Sequence, residues 1–488
     1  MSILSGLDPH PVWHYFEEIC RIPRLSGHEE EIRAYLLNFA HINHLEAKED
    51  EAGNVLITKP SAEGFENRKT VVLQSHMDMV GEKNADFPHD WLKDPIVPRI
   101  EGGWVTATGT TLGADDGIGI AAQMAILLSE ELKSGKIECL FTVDEESGMT
   151  GAASLTPGFF EGNILINLDS EDEGILFIGC AGGIDTVAEL RYSPEPSPSD
   201  VITHEISLTG LMGGHSGDEI HKGFGNSIKL MTRILLDLSK QSKISLHQLK
   251  GGNLRNAIPR EAFALISTKK SGINDIKKRL EYFRYIFAEE FGDLERDLKI
   301  TVEETATPRY IMDSDDQNSL LHTLNCCPHG VLAWSKEMDD LVETSTNLAS
   351  VNFGPGNVIN IVTTQRSSLE SSKYNAAWMT ESCFRLAGAK VTHSGGYPGW
   401  KPNLRSEILR ITRKSYFDLF GKEPQIRAIH AGLECGLIYE KFRGIDMISI
   451  GPTIKGAHTP LEKIEIRTVR MFWDLLLHIL RNIPEKDQ

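Results

Sequence analysis

Carboxylates and imidazoles gather at the ends of short apolar runs along this chain. His76 and Asp78 stand two residues apart at the end of VVLQSHMDMV (71–80), which predicts both side chains on one face of a strand. Asp115 and Asp116 occupy a Gly-flanked turn, TTLGADDGIG. Asp144, Glu145 and Glu146 follow directly on the strand-like LFTV, Asp169 ends ILINL, and His458 lies in GPTIKGAHTP, just past DMISI. Separate segments therefore deliver their acids and histidines to one predicted sheet edge.

Alone, each piece has an ordinary structural reading. A His-x-Asp is usually surface or core, a strand-terminal Asp-Glu-Glu is usually a solvated helix N-terminus, and a single Asp is commonly a turn residue or N-cap. Together they create a conflict, because carboxylates a few ångströms apart repel strongly unless a cation sits between them. A metal centre resolves it. Two imidazoles with several carboxylates suit Zn²⁺, or the neighbouring Mn²⁺ and Co²⁺, whereas Mg²⁺ and Ca²⁺ prefer oxygen alone. The number of ligands fits two ions, roughly 3.5 to 4 Å apart.

The elements that must position these groups form an α/β pattern. Strand-like 71–80, 136–143 and 163–170 alternate with a helical stretch, DGIGIAAQMAILLSEELKSG (116–135), in which Ile118, Ala121, Ala122, Ala125, Leu128 and Leu132 keep helical spacing and Gly135 supplies a stop. Such alternation predicts a mostly parallel sheet flanked by helices, with ligands outside the carboxyl ends of the strands. At RYSPEPSPSD (191–200), prolines and serines break the pattern. The next stretch runs strand, helix, strand (201–210, 223–240, 263–270), and 348–368, 373–389 and 390–396 repeat the theme, an apparent internal duplication. After GGYPGWKPN (395–403) the first pattern returns with a helix over 406–421, a strand over 446–450 and an amphipathic terminal helix, RTVRMFWDLLLHILRNI. The expected organisation is a discontinuous, metal-binding α/β domain, 1–190 and 396–488, with an α+β domain inserted over 191–395.

Composition narrows the function classes. The chain has 488 residues, which suggests about three packing units at roughly 150 per domain. With 69 Asp+Glu against 50 Lys+Arg its net charge is −19, which argues against nucleic acid as a partner. No apolar run approaches the ~18 to 20 residues of a membrane span. MSILSGLDPHPVWHYFEEIC has no basic region followed by an apolar core, so it reads as a first helix and not as a signal peptide. Seven cysteines without regular spacing or a C-x-x-C are expected as free thiols, Cys326 and Cys327 included, in a reducing, cytoplasmic setting.

The chain resembles the M20 family of dinuclear zinc peptidases, and within it the aminoacyl-histidine (Xaa-His) dipeptidase branch. The resemblance runs over essentially the whole length and rests on LQSHMDMV, GTTLGADDGIG, TVDEESGMTGA, INLDSEDEG, GCAGGID, GLMGGHSGDEIHKGFGN, GGNLRNAIPREA, HAGLECG and SIGPTIKGAHTP, in that order. It implies that Asp115 bridges two divalent ions, most often Zn²⁺, with His76 and Asp169 on one and Glu146 and His458 on the other. Asp78 would orient His76, and Glu145 would be the general base. His215 in GGHSG would stabilise the oxyanion, and Asn256 and Arg366 would bind the substrate's carboxylate. In many relatives that histidine comes from the partner subunit of a homodimer, in others from the same chain's longer lid, and both stay open. His430 and Glu434 in HAGLECG are read as supporting residues and not as ligands. Asp115-Asp116-Gly117 departs from the family, many members of which carry Lys after the two acids. The implied reaction is hydrolysis of Xaa-His dipeptides, carnosine-like ones included. A deacylase or amidohydrolase of N-acyl amino acids and a non-catalytic binding homologue are the alternatives.

Overall fold

Four parallel strands form the middle of an eight-stranded sheet in the computed structural model, which describes residues 3–486. Across that sheet the order is Glu46–Glu49, Val55–Lys59, Ile137–Thr142, Val71–His76, Ile164–Asn167, Asp446–Ser449, Ile175–Cys180 and Gln425–Ile429. Ile137–Thr142, Val71–His76, Ile164–Asn167 and Asp446–Ser449 are parallel, whereas the Glu46–Lys59 hairpin and Ile175–Cys180 join antiparallel. The expected mostly parallel sheet is thus parallel only at its centre. A five-residue link such as 50–54 can join only antiparallel neighbours.

The three central strands Val71–His76, Ile137–Thr142 and Ile164–Asn167 are buried at every position, as continuous apolar runs covered on both faces should be. Their register sets His76 beside Thr142 and Gln74 beside Asn167, so three strands end at nearly one level. Helix Ala114–Leu127 is buried along almost its whole length and packs on helix His10–Ile19 and strand Val71–His76. It stops at Leu127 and not near Gly135. Lys59 Nζ donates to the Leu127 carbonyl at 3.0 Å, satisfying one of the carbonyls left at the helix end. Helices Glu407–Phe420 and Ile466–Arg481 pack together. A small sheet of Pro98–Glu101, Trp104–Ala107, Lys463–Glu465 and Ile454–Lys455 completes this unit.

The chain divides into two compact units, not three: residues 1–180, 400–428 and 433–488, and residues 181–399 with 429–432. The first crossing therefore lies ten residues before the Pro-Ser segment. Strand Gly182–Arg191 pairs with Val358–Ser367 on one side and Lys390–Tyr397 on the other, which assigns it to the second unit. Pro194–Pro196 pairs with Tyr310–Met312 inside that unit, and Ala181 N–H donates to the carbonyls of Ile429 and Ala431.

The second unit is built on a nine-stranded antiparallel sheet. Strands from 201–270 and from 348–396 occupy neighbouring halves of it. Helices Ser227–Ser242, Ile273–Phe291, Ser314–Cys326 and Glu370–Leu386 share one apolar core with it, including Leu208, Met231, Ile266, Phe287, Leu348 and Phe384. Among the described residues no helix is long and apolar enough to cross a membrane.

Candidate metal centre

At the carboxyl edge of the first sheet, the two oxygens of Asp115 face two different imidazoles. Oδ1 lies 3.1 Å from His76 Nε2 and Oδ2 lies 3.2 Å from His458 Nε2. His76 Nε2 is also 3.4 Å from Asp169 Oδ1, and His458 Nε2 is 3.0 Å from Glu146. Three triads result, His76/Asp115/Asp169, Asp115/Glu146/His458 and His76/Glu145/Glu146, each with its donor atoms within 4.8 Å of one another. Asp115 is common to the first two.

Local structure explains why these side chains converge. His76 is the last residue of its strand, and Asp78 lies just beyond it, so a turn and not strand alternation brings the two together. Asp115 lies at the kinked start of helix Ala114–Leu127, where its backbone and that of Asp116 are not helical. Glu145 and Glu146 begin the short helix Glu145–Gly148 after Asp144, whose φ of 55° turns the chain sharply out of the strand. Asp169 follows Ile164–Asn167, and His458 sits in the loop between Ile454–Lys455 and Lys463–Glu465.

Asp78 is fully buried. Its oxygens accept from the Glu145 amide at 3.0 Å, the Glu146 amide at 3.1 Å and Ser26 Oγ at 2.7 Å. His76 Nδ1 faces Oδ1 at 3.3 Å, which leaves Nε2 turned toward Asp115. Burial pushes the Asp78 carboxyl up, but His76 and these donors outweigh it and bring it to about 2.

Charges elsewhere in the cluster are poorly balanced. Burial raises Asp169 to about 7 and holds Glu145 well above the usual carboxylate range. Hydrogen bonds to Asp115 and Glu146 raise His458 to about 11. Burial opposes, but the His458 and His76 contacts prevail, holding Asp115 far below its ordinary value. Among the described residues no Lys or Arg pairs with Asp115, Glu146 or Asp169. Two imidazoles and three carboxylates aimed at common points are a donor set that fits two divalent cations.

Neighbouring acids have other duties. Asp116 folds back to accept from the Gly119 amide at 3.1 Å. Glu434 is buried, accepting from Gln74 Nε2 and Thr142 Oγ1 at 2.7 Å each. Sequence spacing gave no sign of Arg24 and Glu462, which are buried against the Asp115 turn. Arg24 donates to the carbonyls of Met77, Asp78 and Gly113, and Glu462 accepts from the Leu112, Gly113 and Ala114 amides. The one available signal was the nearness of Glu462 to His458 in the chain.

The remaining candidates, His215, Asn256 and Arg366, lie in the second unit. His215 and Ala257 form an isolated β-bridge, and Ser216 N–H donates to the Asn256 carbonyl at 2.8 Å, so the His215 and Asn256 loops run side by side. The Asn256 side chain is exposed. Arg366, in strand Val358–Ser367, is buried and donates to Tyr397 Oη at 2.8 Å. His215 Nδ1 accepts from the Asp218 amide at 3.1 Å. Burial, then the Arg366 charge, holds His215 below its ordinary value. His430, also in this unit, meets Ser345 Oγ at 2.7 Å through Nε2, and burial brings it to about 3.

Comparison with known proteins bears on the whole chain. The family described as "Peptidase family M20/M25/M40" matches residues 72–482. The cytosol non-specific dipeptidase of Escherichia coli is 43% identical over 486 residues, covering 100% of both chains. The crystal structure of aminoacylhistidine dipeptidase from Vibrio alginolyticus is 44% identical, with a TM-score of 0.93 over 99% of each chain. The aminopeptidase PepT of Bacillus cereus, 16% identical over 98% of this chain and 99% of its own, shares the fold with a TM-score of 0.58.

Proposed function

Because this chain belongs to peptidase family M20/M25/M40, we propose that it is a cytosolic, metal-dependent dipeptidase that hydrolyses Xaa-His dipeptides, carnosine-like substrates included. The observation that carries the reading is the divided Asp115 carboxylate, one oxygen toward each histidine triad. Support for histidine at the second position comes from the likeness to a protein named aminoacylhistidine dipeptidase. The E. coli relative is named non-specific, so the breadth of the preference must be measured.

The ligands are His76, Asp115 and Asp169 on one side and Asp115, Glu146 and His458 on the other, and the ions are Zn²⁺, with Co²⁺ or Mn²⁺ as substitutes. When bound, two such cations supply Lewis acidity and bring the pKa of a water near neutrality. Glu145 is the general base. Its burial-raised pKa suits a group that takes a proton from water and returns it to the departing amine near neutral pH. Asp78 holds the Glu145 backbone and orients His76, leaving Nε2 free to ligate.

Substrate recognition falls to the second unit. Arg366 offers a guanidinium fork, and Asn256 an amide, for the C-terminal carboxylate. With Nδ1 of His215 occupied as an acceptor, its neutral ring carries its proton on Nε2 and can donate to the oxyanion. A panel of carnosine, Leu-His, Leu-Ala and N-acetyl amino acids tests the reading. Highest kcat/KM on the His dipeptides is expected. Preference for the acylated amino acids would make the protein a deacylase instead.

A further inference from the structure

The regular part of helix Ala114–Leu127 starts after Asp115 and Asp116, whose backbone is not helical, and Asp116 Oδ1 caps it by accepting from the Gly119 amide. The amides of the preceding turn, Leu112 to Asp115, lie outside that cap and need a remote acceptor. Glu462 provides it. Oε2 accepts from Leu112 at 2.7 Å and Gly113 at 2.9 Å, and Oε1 accepts from Ala114 at 2.7 Å, with the Asp115 amide at 3.4 Å. Glu462 is 2% exposed. A carboxylate so deeply buried is tolerable only with such an array of charge-assisted hydrogen bonds.

The opposite side of the turn is closed by Arg24. A Cβ on Gly113 would meet Arg24 Nη2 at 2.6 Å and one on Gly117 would meet it at 2.7 Å, so a side chain at either position would displace the guanidinium from the backbone. Arg24 also donates to the Met77 and Asp78 carbonyls at 3.0 and 2.7 Å, tying the Asp115 turn to the segment after His76.

Glu462 has the corresponding role on the other side. It belongs to the same loop, 456–462, as His458, and that loop is pinned by Thr106 Oγ1 on the Glu462 carbonyl at 2.8 Å. His458 is half exposed and has φ 62°, so little packing fixes it. Its 3.2 Å approach to Asp115 depends on how its loop is docked.

We propose that Glu462 is a positioning residue that docks the His458 loop onto the Asp115 turn and so sets the affinity of the Asp115/Glu146/His458 site in preference to the His76/Asp115/Asp169 site. This rests on the two-metal reading above. The carboxylate touches no ligand atom, and its effect passes through backbone amides.

The test is Co²⁺ titration of the metal-free full chain, followed by visible absorption. Wild type is expected to take up two ions, and His458→Ala identifies which constant belongs to the His458 site. Glu462→Gln, which turns an amide donor toward backbone N–H groups, is expected to weaken that site about tenfold or more. The other site should stay within about threefold of wild type, and Glu462→Asp should partly restore the absorption spectrum. A folded Glu462→Gln chain with both constants unchanged, or both weakened alike, overturns the proposal. If Glu462→Gln does not fold, Glu462→Asp is judged on the same two constants. A wild-type chain that takes up no pair of ions overturns the two-metal reading itself.

Discussion

The Glu145 amide donates to Oδ1 of Asp78 at 3.0 Å, and that same oxygen faces His76 Nδ1 at 3.3 Å. One buried carboxylate therefore fixes the backbone of the proposed base and the ring of a proposed ligand. Asp78→Asn keeps the shape but presents an amide NH₂ where donors already converge. We expect metal affinity to fall about 10- to 100-fold, with a parallel loss of kcat. Metal content after dialysis, together with kcat, checks this, and a variant with wild-type values for both would remove Asp78 from the site.

Glu145→Ala separates the base from the ligands. Turnover should fall by about 10²- to 10⁴-fold, while metal content stays near wild type because Glu146, and not Glu145, approaches His458. Elemental analysis with single-turnover kinetics reads both. Survival of full activity would assign the base elsewhere.

Metal uptake should release protons. Without a cation, burial raises Asp169 to about 7 and the Asp115 and Glu146 contacts raise His458 to about 11, so near pH 7 His458 is protonated and Asp169 partly so, and ligation must displace those protons. Calorimetric Zn²⁺ titrations in buffers of different ionisation heat should show net proton release, and apparent affinity should rise with pH between 6 and 8. A pH-independent affinity would contradict the ligand assignment.

His430 gives the second unit a separate acid sensitivity. Burial holds it to about 3, against an unfolded value near 6.5, so the folded chain excludes a proton that the unfolded chain accepts. Its contribution is complete above about pH 6.5 and declines as pH falls from there toward 3, by about 2 kcal/mol at pH 5. Urea unfolding of the metal-free chain at pH 7.5 and pH 5 should show this loss, and His430→Gln should reduce it. An equal loss in the variant would place the acid sensitivity in other groups.

Much of the cluster was legible because strand ends are legible. Apolar runs stop where His76, Glu145 and Asp169 begin, and a parallel centre brings those ends to one edge. Asp78 was matched with His76 for the wrong geometric reason, since the strand ends at His76 and a turn brings the pair together. The alternation in Gly182–Arg191 suits either sheet, and only its partners Val358–Ser367 and Lys390–Tyr397 assign it to the second unit. Glu462 was invisible for a similar reason. In LEKIEIR it reads as one more surface acid, and the amides that donate to it lie some 350 residues away in the chain.

The central claim is that Asp115 joins two cation sites serving peptide hydrolysis, and metal-resolved turnover tests it most directly. Protein stripped by chelation and reloaded stepwise with Zn²⁺ should bind two ions per chain. Leu-His hydrolysis should be absent in the stripped form and restored on loading, and Asp115→Ala should lose both uptake and rate. Full Leu-His hydrolysis by metal-free protein, or by an Asp115→Ala chain, would contradict the account.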